Sequence, residues 1–238
     1  MKINISIEAR MTSTRLPGKT LMQINGKPAL EIMIDRIKKA KFVDEIIVAT
    51  TINKEDDVIV DWCKQNNINY FRGSENNVYE RVLNTHKQYN SDIIVELTGD
   101  CILLDDKLVD YAIQRYLDND YDYISVSSLV GYGAQVYTQE VLESVTKDRE
   151  LEYLDMEHVT PYIYTSGKYN TSKTKIYEDL NCPEVFLVLD TIEDWEVINN
   201  VCKNFDNFDF SFEEIVDFMK NNPDKVSANE EIRRKGLS

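Results

Sequence analysis

Arg10, Arg15 and Lys19 are crowded into one short run, Ala9-Arg10-Met11-Thr12-Ser13-Thr14-Arg15-Leu16-Pro17-Gly18-Lys19. Backbone N–H groups, hydroxyls and guanidinium forks gathered in this way can surround phosphate oxygens from several directions. The run therefore suits a polyanion and points to a nucleoside triphosphate. It follows directly on Ile3-Asn4-Ile5-Ser6-Ile7, whose alternation reads as a strand delivering the chain into a loop. Pro17-Gly18 supplies a turn within that loop.

Charge sharpens the reading. The chain is formally −15, yet residues 10–41 carry eight Lys/Arg against Glu31 and Asp35. An acidic body repels nucleic acid and anionic membranes at long range, whereas a local basic patch fits a small anionic ligand. Lys38, Lys39 and Lys41 have a plainer explanation as the solvated, C-terminal end of a helix.

A triphosphate held by cations needs a hard divalent ion to neutralise and orient it. Mg²⁺ typically takes one or two protein carboxylates, with phosphates and waters completing its shell. Asp100, in Thr98-Gly99-Asp100-Cys101, and Asp190, after Val185-Phe186-Leu187-Val188-Leu189, both stand at predicted strand ends. Each has a bland alternative: an Asx-turn for Asp100 and a helix N-cap, shared with Thr191, for Asp190. The only histidines are His86 and His158, so a histidine-rich zinc or iron centre is excluded as the main chemistry. His86 reads as a structural mid-helix residue, and His158 either faces a substrate or packs. Leu16-Pro17-Gly18-Lys19-Thr20 lacks the first glycine of a P-loop, and no GxGxxG fingerprint occurs.

Short apolar runs alternate with helix-period segments and must position these groups. Strands are predicted over 2–8, 45–51, 68–72, 92–98 and 121–127, with helices over 28–41, 55–66, 77–90 and 105–119. Apolar strands separated by amphipathic helices imply a mainly parallel sheet covered on both faces, doubly wound by the right-handed crossover rule. Ligands in such sheets lie beyond the carboxyl ends of the strands, which places the loops at 9–19, 72–78 and 98–104 on one rim. Beyond 128 we expect a small strand-rich insertion, helices near 139–147 and 151–166, and strands over 171–177 and 184–189. A helix from Thr191 and another over 211–222 follow. The reading is a single α/β domain over 1–222 and a polar tail over 223–238.

Hydrophobic content of 42% supports a real core. Cys63, Cys101, Cys182 and Cys202 form no CxxC pair and read as reduced thiols. With no apolar leader and no run long enough to span a bilayer, a soluble cytoplasmic protein is expected.

The loop over 9–19 closely resembles the N-terminal signature of cytidylyltransferases that activate sugar acids. These include CMP-Kdo and CMP-sialic acid synthetases and, above all, the spore coat polysaccharide biosynthesis protein F-like branch. Asn25-Gly26-Lys27-Pro28, Phe71-Arg72-Gly73-Ser74-Glu75, Thr98-Gly99-Asp100-Cys101, Glu157-His158-Val159-Thr160-Pro161-Tyr162-Ile163 and Leu189-Asp190-Thr191-Ile192-Glu193-Asp194 extend the resemblance in family order. It implies a Rossmann-like nucleotide-diphosphosugar transferase fold, nucleotidyl transfer with pyrophosphate release, and a homodimer. By the same resemblance Arg10, Arg15 and Lys19 would be catalytic and hold the triphosphate with Ala9 and Ser13. Ser74 and Arg81 would meet the base or ribose, and Asp100 and Asp190 would bind Mg²⁺. Gln135, Glu157 and His158 would face the acceptor.

Three departures qualify the transfer. Glu8 stands where relatives carry Gln or Pro, Ile102 and Ile192 replace prolines, and the expected acceptor-facing segment Leu129-Val130-Gly131-Tyr132-Gly133-Ala134-Gln135 carries no obvious Kdo or sialic acid signature. The expected activity is CTP-dependent activation of a sugar or sugar acid for surface polysaccharide. Alternatives are a guanylyltransferase acting on a sugar 1-phosphate and an inactive nucleotide-binding homologue. A glycosyltransferase is a further one, but Asp118-Asn119-Asp120 follows a helix rather than ending a strand.

Overall fold

The computed structural model describes residues 1–229. The first half contains β1 (Ile3–Glu8), β2 (Gln23–Ile24), β3 (Lys27–Pro28), α1 (Ala29–Ile37), β4 (Glu45–Thr51) and α2 (Asp57–Gln65). β5 (Asn69–Gly73), α3 (Val78–Tyr89), β6 (Ile93–Thr98) and α4 (Asp106–Leu117) complete it. The second half runs through β7 (Tyr123–Ser127), β8 (Gly133–Thr138), α5 (Gln139–Asp148), α6 (Tyr153–His158), α7 (Pro161–Thr165) and β9 (Thr171–Lys175). It ends in α8 (Ile192–Lys203), α9 (Phe212–Asn221) and α10 (Pro223–Val226).

Seven strands form one sheet in the order β5-β4-β1-β6-β8-β7-β9, and β2 pairs separately with β3. All neighbouring pairs are parallel except those made by β8, which runs antiparallel to β6 and β7. The mainly parallel α/β sheet with helices on both faces is the expected one. The direction of β8 follows from its connection. β7 returns through a tight turn, with Tyr132 N–H donating to Leu129 O (2.9 Å), and so short a link forces antiparallel pairing.

Alternation along the strands splits the interior in two. Ile3, Ile5 and Ile7 with Val95 and Leu97 join the larger core against α1, α4, α8 and α9. Ile94, Tyr123 and Tyr137 join a smaller core with α3, α5 and α7 on the opposite face. Within α3, His86 is fully buried. Asn4 Nδ2 donates to Ser91 Oγ (2.8 Å), and the Ser91 hydroxyl lies 2.8 Å from His86 Nδ1. Burial pushes the His86 imidazole down to about 3, so it is neutral in the fold. Between about pH 6.5 and 3 the unfolded chain binds the extra proton, and stability falls as pH falls. The expected loss is about 2 kcal/mol by pH 5. Urea melts of His86→Gln should show a correspondingly flatter acid limb.

Three local expectations are corrected. The apolar run 184–189 is extended but joins no ladder; isolated bonds from Leu187 N–H to Val130 O (2.8 Å) and Leu189 N–H to Asp100 O (2.9 Å) hold it. The helix expected over 151–166 breaks between α6 and α7, where Val159 takes φ 65° and Pro161 opens α7. Proline cannot continue the preceding helix but suits a first helical turn. Finally, the tail drawn from 223 begins as packed chain. Pro223 opens α10, Val226 is buried, and Asn229 Nδ2 donates to Phe186 O (2.9 Å) and Asp194 Oδ1 (2.8 Å). Residues 230–238 of that tail lie outside the described residues.

Gly131 fixes the extended run. Its φ is 89°, and a Cβ there would lie 2.3 Å from the Leu187 carbonyl carbon. No side chain fits so close a backbone approach. Gly131→Ala should destabilise the protein by at least about 1–3 kcal/mol in urea melts, because strain and collision add.

Candidate active site

β1 ends at Glu8 and the chain turns over the carboxyl rim of the sheet. Several bonds pin this loop. Ala9 N–H donates to Ala49 O (3.2 Å), Met11 N–H to buried Asp56 Oδ1 (2.6 Å), and Thr20 Oγ1 to Arg10 O (2.9 Å). Gly18, at φ 78°, turns the chain into a short 3₁₀ segment over Lys19–Leu21 and donates to Met11 O (2.9 Å). Gly99 at the end of β6 lets the Asp100 turn settle on β1, since a Cβ there would lie 2.5 Å from Glu8 O.

The Lys19 ammonium bridges two carboxylates. Its Nζ is 2.9 Å from Asp100 Oδ2 and 2.7 Å from Asp190 Oδ1, while Arg15 Nη2 is 2.7 Å from Asp190 Oδ2. Burial alone would lower the Lys19 pKa, but Asp100 and Asp190 outweigh it and hold the ammonium above its ordinary value. For Asp100 burial pulls upward, and Lys19 outweighs it to keep the carboxyl below the usual range. Lys19 is therefore charged, and Asp100 ionised, at neutral pH.

The capping question at Asp190 resolves in favour of Thr191. Thr191 Oγ1 accepts from Asp194 N–H (3.3 Å), and Asp194 Oδ2 accepts from the backbone N–H groups of Asp190 (3.0 Å) and Thr191 (2.9 Å). Thr191 and Asp194 thus form a reciprocal capping box at the start of α8. The Asp190 carboxylate is left for the site. Two carboxylates converging on one small cation form a donor set that suits a hard divalent ion. Phosphate and water oxygens would complete the shell, because among the described residues no group of three or more metal-ligating side chains exists.

Arg10 extends to the other side of the loop, 3.4 Å from Glu75 Oε1, which also accepts from Thr12 Oγ1 (2.6 Å). Hydrogen bonds from Thr12 and Asn53 lower the Glu75 pKa. Ser74 and Arg81 meet each other at the start of α3: the Arg81 guanidinium donates to Ser74 O, and Ser74 Oγ accepts from Asn77 N–H (3.1 Å). Ala9 is buried and Ser13 half-buried in the loop. Gln135, on β8, accepts from Tyr123 Oη and Thr160 Oγ1, each at 2.6 Å. Glu157 and His158 lie exposed at the end of α6, 4.0 Å from each other. They are bonded to none of the loop residues above.

One carboxyl, Glu96, was missed by sequence reasoning, and it lies beside the carboxylate already noted at Glu8. Glu8 and buried Glu96 lie on adjacent strands on the face toward α3. Burial, then the neighbouring Glu96 charge, pushes Glu8 well above the ordinary carboxylate range. Burial likewise pushes Glu96 up to about 7, against the hydrogen bond that Tyr137 donates to it. A glutamate inside the apolar run Ile93-Ile94-Val95-Glu96-Leu97 was the signal available in the sequence.

The sequence matches the family profile described as cytidylyltransferase over residues 5–232. It is 32% identical to the spore coat polysaccharide biosynthesis protein SpsF of Bacillus subtilis, across 94% of this chain and 96% of that protein. A cytidylyltransferase structure from Leptospira borgpetersenii superposes with a TM-score of 0.90 at 32% identity, covering 98% of this chain and 100% of that one. A CMP:2-keto-3-deoxy-manno-octonic acid synthetase, solved in complex with CTP, shares the fold at a TM-score of 0.66 and 17% identity, covering 86% and 99%. No helix among the described residues is long and apolar enough to cross a membrane. With the strand-end loop, the paired aspartates and the α/β nucleotidyltransferase fold in the same chain, the protein belongs to the cytidylyltransferase family.

Proposed function

We propose that the protein is a Mg²⁺-dependent enzyme that transfers CMP from CTP to a small sugar-like acceptor, as a cytoplasmic homodimer serving surface polysaccharide synthesis. The observation that carries this reading is the convergence of Asp100 and Asp190 on the Lys19 ammonium, with Arg15 on the outer oxygen of Asp190. The CTP complex of the structurally similar synthetase supports the choice of nucleotide. So does the resemblance of the loop over 9–19.

In the reaction the acceptor oxygen attacks the α-phosphorus, the bond to the bridging β-phosphate oxygen breaks, and pyrophosphate leaves. Such a step asks the protein mainly to position groups and stabilise charge. Arg10 and the loop from Ala9 to Ser13 would cradle the triphosphate. Arg15 and Lys19 would turn from the aspartates to the phosphates and offset charge on the departing pyrophosphate. Asp100 and Asp190, released from those cations, would hold Mg²⁺, which when bound neutralises the phosphates and orients the phosphorus. Ser74 and Arg81 would border the ribose or base, and Gln135 the acceptor; Glu157 and His158 would serve an acceptor reaching outward along α6.

Thermal melting with CTP, GTP, UTP and ATP, each with and without Mg²⁺, tests the reading. Ligand binding to the folded state raises Tm. A Mg²⁺-dependent shift with CTP above the other three is expected. A shift confined to GTP would favour a sugar-phosphate guanylyltransferase, and no shift with any nucleotide would favour an inactive homologue.

A further inference from the structure

The sheet carries a polar row beside the phosphate loop. Strand register sets Ser6 of β1 beside Glu96 of β6, Glu96 beside Gln135 of β8, Gln135 beside Ser125 of β7, and Ser125 beside Lys173 of β9. All five residues alternate with the larger core and so share the face that α3, α5 and α7 cover. One residue further along the same face, Tyr123 and Tyr137 are buried and apolar packing resumes. At the loop end Glu8 pairs with Thr98, and Ser127 with Lys175.

This row is built rather than incidental. The oxygen of the Gln135 amide receives two hydroxyls, from Tyr123 and Thr160, which fixes the amide and leaves its NH₂ facing away as a donor. Tyr137 holds one oxygen of Glu96. Neither Glu8 nor Glu96 has a cation within 4.0 Å among the described residues, although Asp155 and Asp190 are ion-paired. Arg81, the cation that acts most strongly on Glu8, donates to the Ser74 carbonyl, and its buried Nε has no partner. Interior carboxyls without a cation cost stability, so they are kept where a ligand satisfies them.

We propose that this row is the floor of the acceptor site and that Glu8 and Glu96 set its specificity: the reacting end of the acceptor presents hydroxyl or ammonium hydrogens to them, not a carboxylate. The inference rests on the cytidylyl-transfer reading, which puts the reacting oxygen beside Asp100. In a 2-keto sugar acid the carboxylate is attached directly to the carbon that carries the reacting hydroxyl. Above about pH 8, where Glu96 is ionised, that carboxylate would enter between the triphosphate and further negative charge. Glu8 and Glu96 thereby separate this chain's acceptor from the sugar acids that related synthetases take.

Binding to the CTP-loaded, Mg²⁺-containing protein can be compared above about pH 8, where Glu96 is ionised, for 2-keto-3-deoxy-manno-octonic acid and its C1 carboxamide, which has the same shape without the charge. Ligand-observed NMR titration reads both affinities. The amide is expected to bind at least about tenfold tighter, the factor that 1.4 kcal/mol of like-charge repulsion gives. Glu96→Gln keeps the shape and should bring the two affinities close to equal. Preference for the acid, or an unchanged ratio in Glu96→Gln with CTP binding intact, overturns the proposal. Binding of neither ligand beside bound CTP removes the acceptor from this row. Failure of the wild-type protein to bind CTP at all overturns the underlying nucleotide reading, and this inference with it.

Discussion

Lys19→Met is expected to slow pyrophosphate release by roughly 10²–10³-fold, the usual cost of removing one charge-stabilising donor at a reacting centre. The same change should tighten the binding of a divalent cation in the absence of nucleotide. Both effects come from one geometry. Lys19 Nζ stands 2.9 Å from Asp100 and 2.7 Å from Asp190, where a divalent ion shared by the two carboxylates would stand. In the free protein the ammonium is therefore an internal counter-ion, and on the proposed reading it would compete with the metal. A triphosphate that drew Lys19 and Arg15 away would free the aspartates, so metal and nucleotide would bind together better than either alone. Methionine fills similar space without the charge and leaves Arg15 as the remaining ion-pair partner of Asp190 among the described residues. Mn²⁺ titration of the nucleotide-free variant should show gained affinity while turnover falls. A variant that loses turnover with no gain in metal binding would mean that Lys19 does not guard the metal position.

Asp100→Asn should cost a similar factor, roughly 10²–10³ in turnover, with little loss of fold. The amide keeps the size and one acceptor oxygen, and Lys19 retains its 2.7 Å contact with Asp190. What disappears is one of the two carboxylates proposed to hold the metal, and part of the balance against three loop cations. Nucleotide alone could still bind, since a net positive charge is added locally. The Mg²⁺-dependent part of the CTP-induced Tm shift should vanish. Near-wild-type turnover in Asp100→Asn would remove this carboxylate from the mechanism.

The features legible in the sequence were those set by local chain. A strand followed by clustered cations, and acids directly after apolar runs, carry their own geometry: the rim holding Arg15, Lys19, Asp100 and Asp190 is assembled as anticipated. Features set by distant contacts were harder to read. Val185-Phe186-Leu187-Val188-Leu189 is strand-like in composition because most of it is buried, yet it bonds singly to Val130 and Asp100 rather than along a neighbour. Apolar content reports burial, not pairing. The reversal of β8 depends on the turn at 129–132, which hydropathy does not register. Glu96 lay in plain view within β6, but its meaning depends on Glu8, Gln135 and Tyr137 arriving from other strands.

Mn²⁺ electron paramagnetic resonance tests whether Asp100 and Asp190 hold a divalent ion jointly with a triphosphate gathered by Arg15 and Lys19. The spectrum of free Mn²⁺ should decrease on adding wild-type protein and CTP together by more than either partner alone accounts for. Asp100→Asn and Asp190→Asn should each remove that excess. Sequestration by either variant equal to that by the wild type, or none beyond that by CTP itself in the wild type, would mean that the two aspartates do not share a metal with the nucleotide.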